Sequence, residues 1–257
     1  MTRRGYLTLP LAFLLVVCGA IPVASEVGDS SAIDARADRV LRAMSDYLKS
    51  VDQFTFQSEV SYDSVLVNGQ KIQYGGTGKI SVHRPNRLRV EYHGDEGDLG
   101  VIFNGHTFTL YDVSADFYAQ KKMEADIDTA VDRMFEKFGF SVPTADLVYA
   151  DPYSTLMASV ETGFVVGLHT VQGVRCHHLA FSQESIDWQI WIEDGPRPLP
   201  RKLLITYKDE PGSPQYTVQL SGWDLRPNIS DAYFDFDPPA GADRIEFLPA
   251  EEEETAP

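Results

Sequence analysis

The glycine-rich run before Lys79 is the first place in this sequence where chemistry would be expected. Residues 75–79 read GGTGK, which is similar to the end of a phosphate-binding loop. Such a loop also needs a glycine five positions before its second glycine, and a Ser or Thr after the lysine. Gln73 and Ile80 occupy those two positions. We therefore predict a glycine kink that bends a strand, rather than a nucleotide site.

The histidines and the carboxylates near them form no recognisable reactive centre. His177 and His178 are adjacent, and neighbours on a strand point to opposite faces, so they do not converge on one metal ion. The sequence has no His-Glu-x-x-His, Cys-x-x-Cys or Gly-x-Ser-x-Gly motif. Asp187, Glu184 and Glu193 lie near predicted strand ends and are expected to be solvated. We predict a protein that is not an enzyme, with no catalytic residue, metal or cofactor.

Composition excludes further classes of function. The chain has 257 residues, a formal net charge of −16 and 43% hydrophobic residues, so it is neither disordered nor collagenous. With so negative a charge, the chain is not expected to bind nucleic acid, which needs clustered Lys and Arg. It is also not expected to adsorb to anionic lipid, which needs positive charge. The length suffices for one domain with a sizeable core.

The N-terminus predicts export. Arg3 and Arg4 precede an apolar run over residues 7–18, which is too short for a transmembrane helix, and residues 23–25 are small at the cleavage positions. We predict a signal peptide over residues 1–25, cleaved after Ser25, and a periplasmic protein without a transmembrane segment in its mature chain. An uncleaved anchor is the alternative.

The two cysteines leave one question about the N-terminus open. Cys18 follows an apolar run, so lipidation there is a second alternative, although Val17 is a poor fit to a lipoprotein signal. Loss of Cys18 with the signal leaves Cys176 alone, which excludes an intramolecular disulfide. Cys176 lies in an alternating apolar run and is expected to be a buried, inert thiol.

The rest of the chain divides into two β-rich stretches separated by helices. Apolar residues at helical spacing predict an amphipathic helix over residues 33–51, and a helical insertion over residues 125–160. Two-residue alternation with short turns predicts about ten or eleven antiparallel strands. Residues 26–248 then form one α+β, mainly β domain. Residues 249–257 form an acidic tail that is expected to be disordered.

A sheet of that length curls, and its concave apolar face needs a cover. The expected architecture is therefore an incomplete antiparallel β-barrel with the helices across its mouth. Large apolar residues recur on one face of the predicted strands. They would line either a ligand cavity or an ordinary packed core, and the pattern leaves both open. These candidates are Phe54, Phe56, Val60, Tyr62, Leu88, Val90, Tyr92, Phe108, Leu110, Trp188, Ile190, Leu203 and Ile205.

Several motifs in this order resemble a known superfamily. Residues 78–92 read GKISVHRPNRLRVEY and are followed by FNGH and LYD, and this pattern is similar to the LolA/LolB lipoprotein carriers. Later segments, DWQIWIE, LPRKL and FDPPAGA, resemble a family of predicted periplasmic proteins of unknown function in that superfamily. The likeness then spans nearly the whole mature chain. It implies a LolA-like open barrel with a helical lid, an apolar cavity and no reaction.

These observations together lead to two hypotheses about function. The first is a periplasmic binding or carrier protein that holds a lipid, a lipoprotein acyl chain or another apolar ligand against the concave sheet. The second is a non-enzymatic envelope module with a filled core, which interacts with a partner protein or senses the envelope. We expect a monomer in either case.

Overall fold

The computed structural model describes residues 32–138 and 144–248. The predicted signal peptide and acidic tail lie outside the described residues. The first element is helix α1, Ala35–Lys49, within the range expected from the sequence. Asp34 caps the helix by accepting a hydrogen bond from the Arg36 backbone N–H at 2.6 Å. The buried stripe of α1 has helical spacing and consists of Ala37, Leu41, Met44, Ser45 and Leu48.

Six strands follow in an antiparallel meander. Each strand pairs with the one before it, because the connecting turns are short. An Asn68-Gly69 turn, a sequence typical of tight β-hairpins, connects the first two, with Gly69 at a φ of +83°. The strands are β1 Gln53–Val65, β2 Lys71–His83, β3 Arg87–Gly94, β4 Gly97–Phe103, β5 Thr107–Asp112 and β6 Phe117–Lys122.

A helical segment and a second meander complete the sheet. The segment contains α2, Ile127–Phe138, a 3-10 turn, Ala145–Leu147, and α3, Pro152–Met157. We call these three elements the helical cover. The later strands are β7 Thr162–Val171, β8 Val174–Ser182, β9 Ile186–Glu193, β10 Pro200–Tyr207, β11 Gln215–Asp224 and β12 Asp243–Ile245, with a second 3-10 turn at Asp231–Phe234 before the last.

All twelve strands belong to one curved, unclosed sheet, which confirms the predicted fold class. The order is β12-β6-β5-β4-β3-β2-β1-β11-β10-β9-β8-β7, so pairing between β1 and β11 joins the two meanders. The sheet in the described residues has twelve strands, against about ten or eleven expected. The last of them, β12, pairs in parallel with β6 and is too short to show two-residue periodicity.

The two faces of the sheet are covered differently. Phe54, Phe56 and Val60 alternate along β1 and contribute to the main core together with α1 and the helical cover. On the opposite face, the C-terminal segment lies across the first meander. Phe234 is fully buried there, Phe236 packs between Tyr111 and Tyr118, and the Arg89 guanidinium donates to the Tyr233 carbonyl.

The contact between α1 and the sheet generates a stability prediction. Leu41 is fully buried in the main core, so Leu41→Ala is expected to lower the free energy of unfolding by roughly 2–5 kcal/mol through lost burial and a new cavity. Urea denaturation followed by circular dichroism measures this. Arg36→Ala, on the exposed side of the same helix, should change it by less than about 0.5 kcal/mol. Equal losses in the two variants would contradict the assigned packing of α1.

Candidate ligand cavity

A cavity of about 290 Å³ lies between the concave face of the first meander and the helical cover. Its floor comes from β1 to β5, one wall from Tyr216 of β11, and its roof from α2 and residues 144–148. The described lining residues are Phe56, Ser58, Val60, Tyr62, Gly78, Ile80, Leu88, Val90, Tyr92, Leu99, Val101, Phe108, Val131, Thr144, Ala145, Val148 and Tyr216.

Small residues on the sheet make room for this cavity. Ser58 pairs with Gly78 across β1 and β2, and a Cβ atom on Gly78 would lie only 2.6 Å from the Ser58 hydroxyl oxygen. The ring of Tyr92 lies over Gly76 and Gly94, where a Cβ atom would meet it at 2.4–2.5 Å. The pairing of β1 with β2 runs through these glycines without a shift in register. The glycines therefore accommodate a tyrosine and leave space above the sheet.

The polar groups of the cavity are uncharged. Burial is the main cause that raises the pKa of Tyr62, Tyr92 and Tyr216, so all three hydroxyls stay protonated at neutral pH. The Tyr62 hydroxyl donates a hydrogen bond to the Glu96 carboxylate at the edge of the cavity. The described lining contains no Asp, Glu, Lys, Arg or His. This arrangement suits an apolar ligand with few hydrogen-bonding groups.

Hydrogen bonds attach the helical cover to the sheet and to α1. Arg84, at the end of β2, donates from Nη1 to the Val148 carbonyl at 2.8 Å. Its Nε and Nη2 atoms are buried without a hydrogen-bond partner among the described residues, and burial lowers the pKa of Arg84. At α3, the Tyr153 backbone N–H donates to the Ser45 hydroxyl at 3.0 Å, and Lys49 pairs with Asp151 at 3.1 Å.

The cover also contains a carboxyl group with a shifted pKa. Burial, followed by the charge of Asp132 on α2, raises the pKa of Asp146 in the 3-10 turn to about 6. Tyr149 donates a hydrogen bond to Asp132 at 2.7 Å. Two carboxyl groups and a tyrosine thus meet beside the cavity roof, and one of the carboxyls loses its proton only near pH 6.

The cavity is lined by part of the set of candidate residues that the sequence analysis names. Seven of the thirteen candidates line it, and these are Phe56, Val60, Tyr62, Leu88, Val90, Tyr92 and Phe108. The other six do not line this cavity. Phe54, Trp188, Ile190, Leu203 and Ile205 are buried in the main core, and Leu110 packs against it. For the four residues of β9 and β10, the reason is that α1 contacts β7 and β9 and packs on the concave face of the second meander.

Alternation of large apolar residues could not identify the remaining lining residues. Ser58 and Gly78 are small, and their smallness is what creates the space. Val131, Ala145 and Val148 come from the cover, whose position over the sheet depends on tertiary packing. The sequence feature that could have revealed the cavity is a Gly or Ser at an inward-facing position of an otherwise apolar strand.

The adjacent histidines considered for metal binding lie apart from the cavity. His177 approaches Asp194 at 3.1 Å, whereas His178 stacks on Trp191 at 4.0 Å and contacts His169 and Gln189, each at 2.9 Å. His178 and Trp191 are both buried. Within the described ranges, no group of three or more His, Cys, Asp or Glu residues is placed to hold a metal ion.

The Cys176 thiol and two of the carboxylates near the strand ends have contacts that explain their place in the fold. Cys176 is buried as expected, and burial raises the pKa of its thiol to about 11. Asp187 accepts a hydrogen bond from Ser182 at 2.6 Å, which is the main cause that lowers the pKa of Asp187. Glu193 forms an ion pair with Arg201.

Comparison by sequence identifies the family. The chain belongs to the family described as predicted periplasmic protein (DUF2092), whose sequence profile matches residues 37–248. This confirms the family resemblance noted from the sequence motifs. No curated protein matches the chain by sequence. Among residues 32–138 and 144–248, none of the helices has the length and apolarity needed to cross a bilayer.

Several solved structures have a similar chain arrangement. Lipoprotein LppX of Mycobacterium tuberculosis is 12% identical with a TM-score of 0.48, and the alignment covers 77% of this chain and 100% of that one. LprF of Mycobacterium bovis is 10% identical, with a TM-score of 0.45 and coverage of 77% and 97%. A LolA superfamily protein from Nitrosomonas europaea is 9% identical, with a TM-score of 0.36 and coverage of 78% and 97%. Similarity at this level carries no information about a ligand.

The raised pKa of Asp146 predicts a pH-dependent stability. A group with a raised pKa in the folded chain contributes fully below its unfolded pKa, near 4, and loses that contribution as the pH rises through about 6. Asp146→Asn stays neutral and should be more stable than wild type at about pH 8, by on the order of 2 kcal/mol, with no difference near pH 4. Urea denaturation at both pH values measures this.

The exposed Asp237→Asn is the matched control for this measurement and should follow wild type at both pH values. An Asp146→Asn variant that is less stable than wild type at high pH would contradict the assigned environment of Asp146.

Proposed function

We propose that this protein is a periplasmic binding protein that holds the apolar part of a lipid, a lipoprotein acyl chain or another apolar ligand in the cavity under the helical cover. One observation carries the proposal. The main core is closely packed around α1, yet about 290 Å³ with an uncharged and mostly apolar lining is left open above β1 to β5. An apolar cavity of roughly 150 Å³ accommodates benzene, so this one has room for a longer hydrocarbon segment.

Burial of hydrocarbon provides the driving force. Each methylene group moved from water into the cavity contributes about 0.8 kcal/mol, before the costs of association are subtracted. A micromolar dissociation constant corresponds to about 8 kcal/mol, so a chain of about ten or more methylene groups, packed between Phe56, Val90 and Val101, is needed to reach it. The tyrosine hydroxyls, Ser58 and Thr144 are available to hydrogen-bond a polar group at one end of the ligand.

Two features favour binding over the alternatives. Ser58 is a candidate nucleophile in the described lining, but the same lining offers it no histidine or carboxylate base. The role proposed is thus non-catalytic. An interaction or sensing module with a filled core is less well supported, because the described residues leave a cavity above the first meander.

The proposed location follows from the family and the N-terminus together. The family is described as periplasmic, and residues 1–25 have the charge, apolar run and small residues of a cleavable signal peptide. The protein would thus meet its ligand outside the cytoplasm.

Binding of an acyl probe tests the function. A fluorescent fatty-acyl probe should gain intensity with the purified protein and saturate at one site. Val60→Trp, which inserts an indole into the cavity, should weaken this binding at least about tenfold because the ring occupies the space of the acyl chain. Fluorescence titration measures both, with circular dichroism as the check on folding.

Glu59→Trp is the matched control, because Glu59 is the neighbour of Val60 on the exposed face of the same strand. It should bind the probe like wild type. The proposal is contradicted when wild type gives no saturable signal, or when the two tryptophan variants lose binding equally.

Export is tested separately. After expression of the full chain in a Gram-negative host, the periplasmic protein should have the intact mass of a chain that begins at Glu26. Cys18→Ser should leave that mass unchanged. A product that retains Met1, or one that begins at Cys18 with attached lipid, would contradict cleavage after Ser25.

A further inference from the structure

A surface groove adjoins the cavity at Tyr62, which lines both. The groove runs between the β1–β2 hairpin and the turn that connects β10 with β11. Three carboxylates line it, those of Asp63, Glu96 and Glu210. The described groove residues include no Lys, Arg or His. A ligand whose tail occupies the cavity and whose polar end passes Tyr62 would have that end beside these carboxylates.

Two of the three carboxylates keep their charge uncompensated. Asp63 is paired with Lys71 at 3.2 Å. Glu96 accepts its hydrogen bond from the Tyr62 hydroxyl, a neutral donor that orients the carboxylate without cancelling its charge. Glu210 is exposed, and no ion pair is formed with it among the described residues.

The nearest lysine in sequence does not compensate Glu210. Lys208 is directed towards β8 and β9, where its ammonium lies 3.2 Å from Asp187 and 3.2 Å from the Ser182 hydroxyl. On the other side of the cavity edge, Asp95 and Glu96 are close enough to Tyr92 to contribute to its raised pKa. The potential at this end of the cavity is thus negative.

We infer that the ligand is a single-chain amphiphile whose head carries no negative charge, with a cationic head preferred over an uncharged one. This inference rests on the proposed function, because it assigns the head to the groove and the tail to the cavity. A cationic head gains Coulomb attraction from Glu96 and Glu210, and an anionic head is repelled by the same two groups. Because the groove is open to solvent, the preference is sensitive to salt.

The experiment compares three probes that share a dodecyl chain: dodecyltrimethylammonium, dodecyl maltoside and dodecanoate. Each is titrated below its micellar concentration by calorimetry, with the full mature protein at low ionic strength. The ammonium probe should bind about tenfold more tightly than the carboxylate probe, and this ratio should fall below about threefold at ~0.5 M salt.

A double variant assigns the preference to the groove. Glu96→Gln with Glu210→Gln keeps an acceptor for Tyr62 and removes two charges, so the ratio of affinities should fall to about twofold or less. Asp237→Asn with Glu246→Gln removes the same net charge from exposed positions of the C-terminal segment and should leave the ratio as in wild type. This control separates the effect of the groove from the effect of the protein's overall negative charge.

The outcomes distinguish the two claims. Equal binding of all three probes by wild type, or an unchanged ratio in the Glu96→Gln, Glu210→Gln variant, overturns the inference about the head while the cavity remains a binding site. Failure of every probe to bind overturns the proposed function and the inference with it. Tighter binding of dodecanoate than of the ammonium probe overturns the inference alone.

Discussion

The concave apolar face of the sheet is the constraint on which the structure depends. A twelve-stranded sheet that curls without closing exposes a wide apolar surface, and that surface has to be removed from water. Two separate parts of the chain do this. Helix α1 covers the second meander, and the helical cover lies over the first. A cavity remains over the first meander because the helical cover fills the space beneath it less completely than α1 fills the space over the second meander.

Under α1 the apolar side chains are packed together and buried. Leu41, Met44 and Leu48 are fully buried, and Phe181 stacks on Trp188 in the same core. Under the helical cover, small residues at positions 58 and 78 face a roof of short side chains, which leaves the cavity. Apolar side chains that line a space of this kind and face water are unfavourable, which is a physical reason to expect an apolar occupant.

Much of the fold could be predicted from the sequence, because each element depends on a local pattern. The spacing of Ala37, Leu41 and Leu48 indicates a helix, and the alternation from Phe54 onward indicates a strand with one buried face. Short turns then leave antiparallel pairing as the only connection. The position of β12 and the packing of Phe234 on the opposite face depend on tertiary contacts that no local periodicity encodes.

The candidate site was predictable only in part for the same reason. Alternation identifies which residues point inward, such as Val90 and Trp188, but both a cavity wall and a packed core consist of inward residues. What separates them is the helix that lies above each one. The position of that helix depends on contacts such as Arg84 with Val148 and Tyr153 with Ser45, which link distant parts of the chain.

The most direct test of the account is a crystal structure of the mature protein with an alkyl chain that carries a terminal bromine. The account predicts anomalous density for the bromine inside the cavity, among Phe56, Val90, Val101 and Phe108, with the sheet and helical cover in place. Bromine density confined to the protein surface, with the cavity closed by its own side chains, would contradict the central claim that the space under the cover receives an apolar ligand.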